Sequence, residues 1–267
     1  MKSRFEVNTI LRDSVYLQAR TVLVRGISDA QFPVELAMAG GKETIIVSSW
    51  MGGKANSIDQ RGSQSSGGNR VRFRVEGIAF KEDYDIAILL QEQQVSMGLI
   101  LYEASTLACS ASQGVLYLLG RKQQGIETIA KSLGNAGFSV DLISRGSSGR
   151  RIVKVGLTGE AKPYPLPVQS FSYSPLDGIS IQFETISSLF SATQIDQGSN
   201  LLIHYCLDTL SKAAPYTILD IGSGYGAIGL SLAVCLPNAQ VLMADIDKRA
   251  LDMANINITK AGVGRST

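Results

Sequence analysis

The sequence contains few of the residues on which metal sites and nucleophilic catalysis depend. Its 267 residues include three cysteines and one histidine. Cys109, Cys206 and Cys235 are far apart in apolar stretches, which is typical of buried thiols in a reducing compartment. His204 has no Cys or second His at ligand spacing. We therefore expect no metal site and no catalytic cysteine or histidine.

Long hydrophobic runs are also missing. No window approaches about 20 uninterrupted apolar residues. The first residues, MKSRFEVNTILRD, lack the apolar core of a signal peptide. We therefore expect a cytoplasmic protein without membrane contact. With 45% hydrophobic residues, the chain can bury the core of one large or two ordinary domains.

Charge of either sign is modest, and the formal net charge is +2. Residues 1–165 hold 20 Lys and Arg against 15 Asp and Glu, whereas residues 166–267 hold 5 against 8. A polyanion would meet the more basic first half, although ordinary surface variation explains the same numbers. The candidates for phosphate contact lie around the SRGSSGRR turn: Arg145, Arg150, Arg151 and Lys154.

Glycines are concentrated in one short segment after residue 216. The apolar run TIL ends in Asp220 and leads into Gly222, Gly224 and Gly226, and then into the helix-like stretch AIGLSLAVCL. Glycine permits positive φ and lets a ligand approach the backbone N–H groups. The N-terminus of the helix that follows favours anions. The pattern predicts a strand, a ligand-binding turn and a helix.

A second apolar strand, Val241–Ala244, ends in another acid. That acid, Asp245, lies 19 residues after Gly226, a separation at which a carboxylate can accept hydrogen bonds from ribose hydroxyls. Asp247 opens the next helix and is expected to be its N-cap. The segment therefore indicates a nucleoside ligand.

Two nucleoside cofactors compete for this pattern. Gly224, Gly226 and Gly229 also satisfy the dinucleotide pattern G-x-G-x-x-G. Against a dinucleotide, Asp220 would lie close to the pyrophosphate, whereas a carboxylate suits the sulfonium and ammonium groups of S-adenosylmethionine. The D-x-G-x-G-x-G pattern resembles the first motif of Rossmann-like methyltransferases. A tight turn without a ligand remains a third interpretation.

The rest of the chain predicts an α/β fold. Strands are expected at 21–24, 44–47, 71–75, 84–90, 114–119, 152–156 and 179–191. Helices are expected at 8–18, 30–39, 95–112, 125–136 and across IDQGSNLLIHYCLDTLSKA. The Gly- and Ser-rich segment 54–69 is expected to be a mobile loop. Prolines in 158–177 favour an extended linker, so we expect domains at 1–157 and 178–267.

A family resemblance covers most of the chain and is strongest over 189–262. LFSATQIDQGSNLLI resembles the entry to the catalytic domain of ribosomal RNA small-subunit guanine-N(2) methyltransferases. The matching positions are Phe190, Ser191, Asp196, Gly198 and Ser199. ILDIGSGYGAIGLSLA resembles that family's cofactor motif, and VLMADIDKRALDMA its ribose strand and next helix. Ala254, Asn257 and Gly262 resemble that helix's ending.

The resemblance implies two Rossmann-like methyltransferase domains, of which the first is degenerate and binds no S-adenosylmethionine. Gln91, Glu92, Gln93 and Gln94 stand where an active domain would carry Asn-Pro-Pro-aromatic. In the second domain that motif would fall beyond Thr267. We therefore expect only the N-terminal part of the second domain, a fragment that is inactive alone, and we assign no catalytic residue.

The function implied is methyl transfer from S-adenosylmethionine to the exocyclic amine of a guanine in ribosomal RNA. Asp245 would bind the ribose, Gly222, Gly224 and Gly226 would line the methionine part, and Asp220 would offset the positive charge. The implied partner is ribosomal RNA or the small ribosomal subunit, and we expect a monomer. An NAD-type oxidoreductase and a non-catalytic RNA-binding module are the alternatives.

Overall fold

The structure is a computed structural model that describes residues 4–26, 32, 36, 44–49, 70–91 and 95–263. The expected loop at 54–69, and the helix expected at 30–39 apart from positions 32 and 36, lie outside these residues. The chain divides into two compact units, Met1–Leu166 (unit 1) and Pro167–Thr267 (unit 2).

Unit 1 is built on a seven-stranded sheet with helices around it. Its strands are β1 (Thr21–Arg25), β2 (Thr44–Ser49), β3 (Arg70–Val75), β4 (Ile86–Leu90), β5 (Val115–Arg121), β6 (Ser139–Arg145) and β7 (Arg150–Gly156). Its helices, in the described residues, include α1 (Arg4–Ile10), α2 (Ser14–Gln18), α3 (Met97–Ser110) and α4 (Ile126–Asn135).

The sheet has the order β3-β2-β1-β4-β5-β7-β6. Neighbours from β3 to β5 are parallel, and β7 runs antiparallel to both β5 and β6. Parallel strands covered on both faces are continuous apolar runs, and β1, TVLVR, is buried after its first residue. One face packs on α1 and α2, and the other packs on α3 and α4. The predicted α/β class is confirmed.

Two local features of unit 1 differ from the sequence expectation. The single helix expected at 8–18 is two helices, because Asp13 caps α2 by accepting a hydrogen bond from Val15 N–H at 2.9 Å. Strand β6 was not expected at all. Its sequence, SVDLISR, is largely exposed at the edge of the sheet and lacks a clean alternation.

Unit 2 contains two small sheets and three described helices. Its elements are β8 (Val168–Leu176), β9 (Ile179–Ile186), α5 (Gln197–Thr209), β10 (Thr217–Ile221), α6 (Ala227–Cys235), β11 (Gln240–Ala244) and α7 (Lys248–Ala261). Strands β8 and β9 form an antiparallel hairpin, and β10 pairs with β11 in parallel.

Strand β8 corrects the expected linker at 158–177, because residues 168–176 form a strand. Pro175 falls where the β8–β9 register shifts between Tyr173 and Leu176. At such an irregularity no ladder N–H is needed, so proline is tolerated. Pro175 therefore marks an irregularity within a strand, whereas Pro163, Pro165 and Pro167 precede β8.

The β10–β11 pair has two different faces. One face packs against α6, and its side chains are at least half-buried. They are Ile218, Asp220, Val241 and Met243. The opposite face is apolar but exposed, with Leu219 at 58%, Ile221 at 78% and Leu242 at 37% relative exposure. We call these three residues the exposed face.

Candidate functional site

The loop 222–226 joins β10 to α6, and we call it the glycine loop. The backbone φ angles of Gly222, Gly224 and Gly226 are +76°, +56° and +93°. Residues other than glycine rarely adopt such angles. A Cβ at Gly222 or Gly224 would meet no atom of the described residues within 4 Å. The loop therefore presents its backbone to open space, as the sequence pattern predicts for a ligand-binding turn.

The end of β11 holds the glycine loop in place. The N–H groups of Gly222 and Ser223 both donate to the carbonyl of Ala244, at 2.8 and 3.0 Å. The N–H of Gly224 donates to Asp245 Oδ2 at 2.8 Å, and Asp245 Oδ1 accepts from the N–H of Asp247 at 2.8 Å. The Asp245 carboxylate is therefore hydrogen-bonded to the backbone of Gly224, the central residue of the glycine loop.

Asp247 has a different role, and its expected position as N-cap of α7 is confirmed. Its Oδ1 accepts from the N–H of Arg249 at 2.9 Å. Its Oδ2 forms an ion pair with the buried Arg249 guanidinium at 2.6 Å. Of the two acids after β11, only Asp245 bonds to the glycine loop.

Asp220 lies at the end of β10, facing the first turn of α6. Its Oδ2 accepts from the N–H of Gly229 at 2.9 Å. Burial raises the pKa of Asp220 above its ordinary value, the Gly229 N–H lowers it, and the negative charge of Asp245 raises it further. Because two carboxylates at adjacent strand ends repel each other, this edge of the sheet favours a cationic ligand.

Gly229, the last glycine of the dinucleotide-like pattern, serves packing. A Cβ there would lie 2.8 Å from Cε and 2.9 Å from Cγ of Met243, and 3.0 Å from Asp220 Oδ2. Glycine at this position allows close helix–strand packing. The G-x-G-x-x-G match therefore does not by itself indicate a dinucleotide.

Sequence reasoning missed Tyr225 and assigned Asn257 only to a helix ending. Tyr225 belongs to the glycine loop, and its side chain is buried. Asn257 Nδ2 donates a hydrogen bond to the backbone carbonyl of Tyr225 at 2.9 Å. The available signals were an aromatic residue between two glycines and an asparagine inside a helix, where it is otherwise unfavourable.

The corresponding strand of unit 1 ends differently. TVLVRG in β1 parallels TILDIG in β10, and Gly26 has φ +79° against +76° for Gly222. A Cβ at Gly26 would lie 2.2 Å from the carbonyl oxygen of Leu90, so this turn is closed.

A buried ion pair fills the carboxyl ends of β1 and β2. The Arg25 guanidinium is fully buried, with Nη2 at 2.9 Å from Glu103 Oε1. It also donates to Ser48 Oγ at 2.8 Å and lies 4.7 Å from the centroid of the Phe80 ring. In open α/β sheets this edge is where ligands bind. In unit 1 protein side chains occupy it.

Three of the four basic candidates in unit 1 are ion-paired. Arg150 pairs with Glu6 at 3.1 Å, Arg151 with Glu127 at 2.9 Å and Lys154 with Asp13 at 2.8 Å. Arg145 is exposed on β6. Most of the positive charge of this cluster is therefore offset by carboxylates of the same unit.

Metal and membrane features were searched over the described ranges. Within them, no group of three or more His, Cys, Asp or Glu side chains is arranged to hold a metal ion. The helices of these same ranges are too short or too polar for any of them to cross a membrane.

Comparison with known proteins relates both units to one family. The methyltransferase small domain model matches residues 180–266. Ribosomal RNA small subunit methyltransferase C of Pseudomonas entomophila (strain L48) is 31% identical over 206 residues, 77% of this chain and 59% of the relative. That of Acinetobacter baumannii (strain AYE) is 26% identical over 99% of this chain and 72% of the relative. The chain thus spans about 59% of the Pseudomonas relative's length.

A solved structure shows the same fold. The T. thermophilus 16S rRNA N2 methyltransferase RsmC, in complex with AdoMet and guanosine, matches with a TM-score of 0.68 and 21% identity. The match covers 95% of this chain and 68% of that one. The expected Rossmann-like methyltransferase fold is confirmed, and these comparisons support the resemblance of this chain to the ribosomal RNA small subunit methyltransferases.

Proposed function

We propose that the protein is an S-adenosylmethionine-dependent methyltransferase that modifies the exocyclic amine of a guanine in ribosomal RNA. The observation that carries the proposal is the glycine loop bonded at its centre to Asp245. When bound, S-adenosylmethionine supplies the methyl group. The residues proposed to hold it are Asp220, Gly222, Gly224, Gly226 and Asp245.

The residues present fit this cofactor. Gly222 and Gly224 face open space, so a ligand can approach the loop backbone closely. An ionised carboxylate offers about four lone-pair positions, and Asp245 uses two of them for the N–H groups of Gly224 and Asp247. The remaining positions are free to accept hydrogen bonds from ribose hydroxyls.

The charges at the site favour S-adenosylmethionine over a dinucleotide. The raised pKa of Asp220 reflects burial and the nearby charge of Asp245. A sulfonium and an ammonium group would relieve this repulsion, whereas a pyrophosphate would increase it. This supports the methyltransferase proposal over an NAD-type oxidoreductase.

For unit 1 we propose a degenerate domain that binds no S-adenosylmethionine. The Arg25–Glu103 pair, with Ser48 and Phe80, occupies the strand edge where a cofactor would bind. We also propose two domains at 1–157 and 178–267, although the residues between them include strand β8 (Val168–Leu176) of unit 2. Within unit 1, Arg145 is the exposed basic candidate for a phosphate contact.

No residue is assigned to the acceptor guanine. The Asn-Pro-Pro-aromatic motif does not occur in the 267 residues, and we propose that this chain alone is inactive in methyl transfer. Ribosomal RNA or the small ribosomal subunit as partner, a monomeric state and a cytoplasmic location are parts of the same proposal.

Ligand-dependent melting of the full-length protein tests the cofactor. S-adenosylmethionine and its demethylated product should raise the melting temperature, because a ligand that binds only the folded state stabilises it, whereas NAD should not. A shift with NAD alone would favour the oxidoreductase. Labelled methyl transfer to small ribosomal subunits, followed by nucleoside digestion, tests the acceptor. Label in a nucleoside other than N2-methylguanosine would contradict the proposal.

A further inference from the structure

Tyr225 lies in the glycine loop between Gly224 and Gly226, and only 3% of its surface is exposed. Its ring packs edge-on against two aromatic residues of the β8–β9 hairpin. The centroid distances are 6.0 Å to Phe171 and 5.7 Å to Phe183. The loop's one large side chain is therefore anchored in the core of unit 2.

The hydroxyl of Tyr225 reaches the segment 187–194, which follows β9 and which we call the entry turn. It donates to the carbonyl of Ser191 at 3.1 Å and approaches that of Gln194 at 3.4 Å. Burial raises the pKa of Tyr225 to about 12, so the phenol is a donor at neutral pH. The entry turn is also closed internally, by Ser191 Oγ donating to the carbonyl of Gln194 at 2.7 Å.

The backbone of Tyr225 is held as well. Asn257, fully buried on α7, donates from Nδ2 to the carbonyl of Tyr225 and to that of Glu184, each at 2.9 Å. Its Oδ1 accepts from the N–H of Glu184 at 2.7 Å. One asparagine thus joins the glycine loop to β9, the strand from which the entry turn begins.

These contacts converge on a single residue flanked by two left-handed glycines. The loop cannot shift at Tyr225 without disturbing the carbonyls of the entry turn, the aromatic cluster or the Asn257 bridge. The neighbouring residue, Gly224, bonds to Asp245 through its own N–H, so the anchored residue and the residue that contacts Asp245 are adjacent in the loop. The geometry of the proposed cofactor site and the path of the chain into α5 are therefore set together.

We propose that Tyr225 is a positioning residue whose phenol hydroxyl couples the entry turn to the cofactor loop. The coupling itself follows from contacts within unit 2. Its effect on S-adenosylmethionine rests on the proposed function.

The test compares Tyr225→Phe with Tyr173→Phe in the full-length protein. Tyr173 is a matched control, because its hydroxyl donates to Asn200 Oδ1 at 2.8 Å within the same unit but does not touch the glycine loop. Without ligand, Tyr225→Phe should speed amide hydrogen exchange in both 187–194 and 222–226 by roughly five- to tenfold, the scale of one lost hydrogen bond. Tyr173→Phe should change neither segment.

The second measurement is cofactor affinity. Tyr225→Phe should raise the Kd and the KM for S-adenosylmethionine by roughly the same factor with kcat unchanged, as expected when uniform binding is lost. Exchange that changes in only one segment, or equally in both variants, would overturn the coupling. If exchange is coupled but the wild-type protein binds no S-adenosylmethionine, the coupling stands and the proposed function is wrong.

Discussion

Asp220 and Gly229 join a strand end to a helix start, through a 2.9 Å hydrogen bond from the backbone N–H of Gly229 to the Asp220 carboxylate. Gly226, the residue before α6, has no side chain with which to cap the helix. The acid that precedes the glycine loop therefore caps it from β10. Asp220 also lies close enough to Asp245 for the two carboxylates to repel each other. The same side chain therefore stabilises the start of α6 and contributes to electrostatic repulsion at the site.

Asp220→Asn should separate these two effects. The amide oxygen can still accept from Gly229, while the buried charge and its repulsion from Asp245 are removed. Because the folded pKa of Asp220 is raised, the native state binds the proton more tightly, so the wild-type loses stability as pH rises through that pKa. Denaturant unfolding at several pH values should show this slope reduced in Asp220→Asn.

The same variant should bind S-adenosylmethionine more weakly, by roughly 1.5–3 kcal/mol if the carboxylate bonds to the cofactor as a charged group. Calorimetric titration measures this loss. A variant that is both less stable at neutral pH and unchanged in affinity would show that Asp220 acts only as a helix cap.

Gly229→Ala should destabilise unit 2. The added methyl would lie 2.9 Å from Met243 Cγ, near the base of that side chain, and 3.0 Å from Asp220 Oδ2. Overpacking of this kind costs about 1–3 kcal/mol, more than the gain of up to about 1 kcal/mol in helix propensity. Gly134→Ala in α4 is the matched control, because its methyl would lie 3.8 Å from Val140 Cγ2. Thermal unfolding should show a lower midpoint for the first variant and an unchanged or higher one for the second.

Asp245→Ala and Asp247→Ala should have opposite profiles. Asp245→Ala should weaken S-adenosylmethionine binding by roughly 1–3 kcal/mol with a modest change in stability, because water can replace the carboxylate beside the open Gly224. Asp247→Ala should cost about 1–2 kcal/mol of stability through the lost N-cap and the lost ion pair with Arg249. Paired titrations and melts decide this. A larger affinity loss in Asp247→Ala would contradict the site assignment.

Glu103→Ala should destabilise unit 1 strongly. It removes the carboxylate that faces the buried Arg25 guanidinium, and breaking a buried pair from one side costs about 3–5 kcal/mol. Glu127→Ala is the comparison, since its pair with Arg151 is solvent-exposed and such pairs contribute little. Similar chemical denaturation curves for the two variants would mean that the Arg25 network is not a structural core.

Much of the architecture could be predicted from the sequence because its strands are buried on both faces. The apolar runs in β1, β4 and β5 need no context to be recognised. Two strands were missed for different reasons. Strand β6 lacks a clean alternation, whereas β8 alternates over 170–174 but lies in a proline-containing segment that favours an extended connection. Local propensity also joined α1 and α2 into one helix, because the cap at Asp13 depends on a single side chain.

At the site, the acids and glycines were found because positive φ and strand-end carboxylates leave a spacing in the sequence. Tyr225 and Arg25 were not found. Their roles come from long-range partners, Ser191 for the first and Glu103 for the second, and one sequence does not show which distant residues meet. The packing role of Gly229 was hidden for the same reason, because it depends on Met243 of the next strand.

The exposed face of the β10–β11 pair has a consequence for how this chain behaves at high concentration. The exposed face is an apolar surface formed by Leu219, Ile221 and Leu242. Within the described residues, the strand that pairs with β10 is β11. Exposed apolar patches favour association with another chain, and a strand edge without a partner is a template for further strand pairing. Solubility of this 267-residue chain should therefore be limited by that surface. A lysine in place of Ile221 would act as a gatekeeper against self-association.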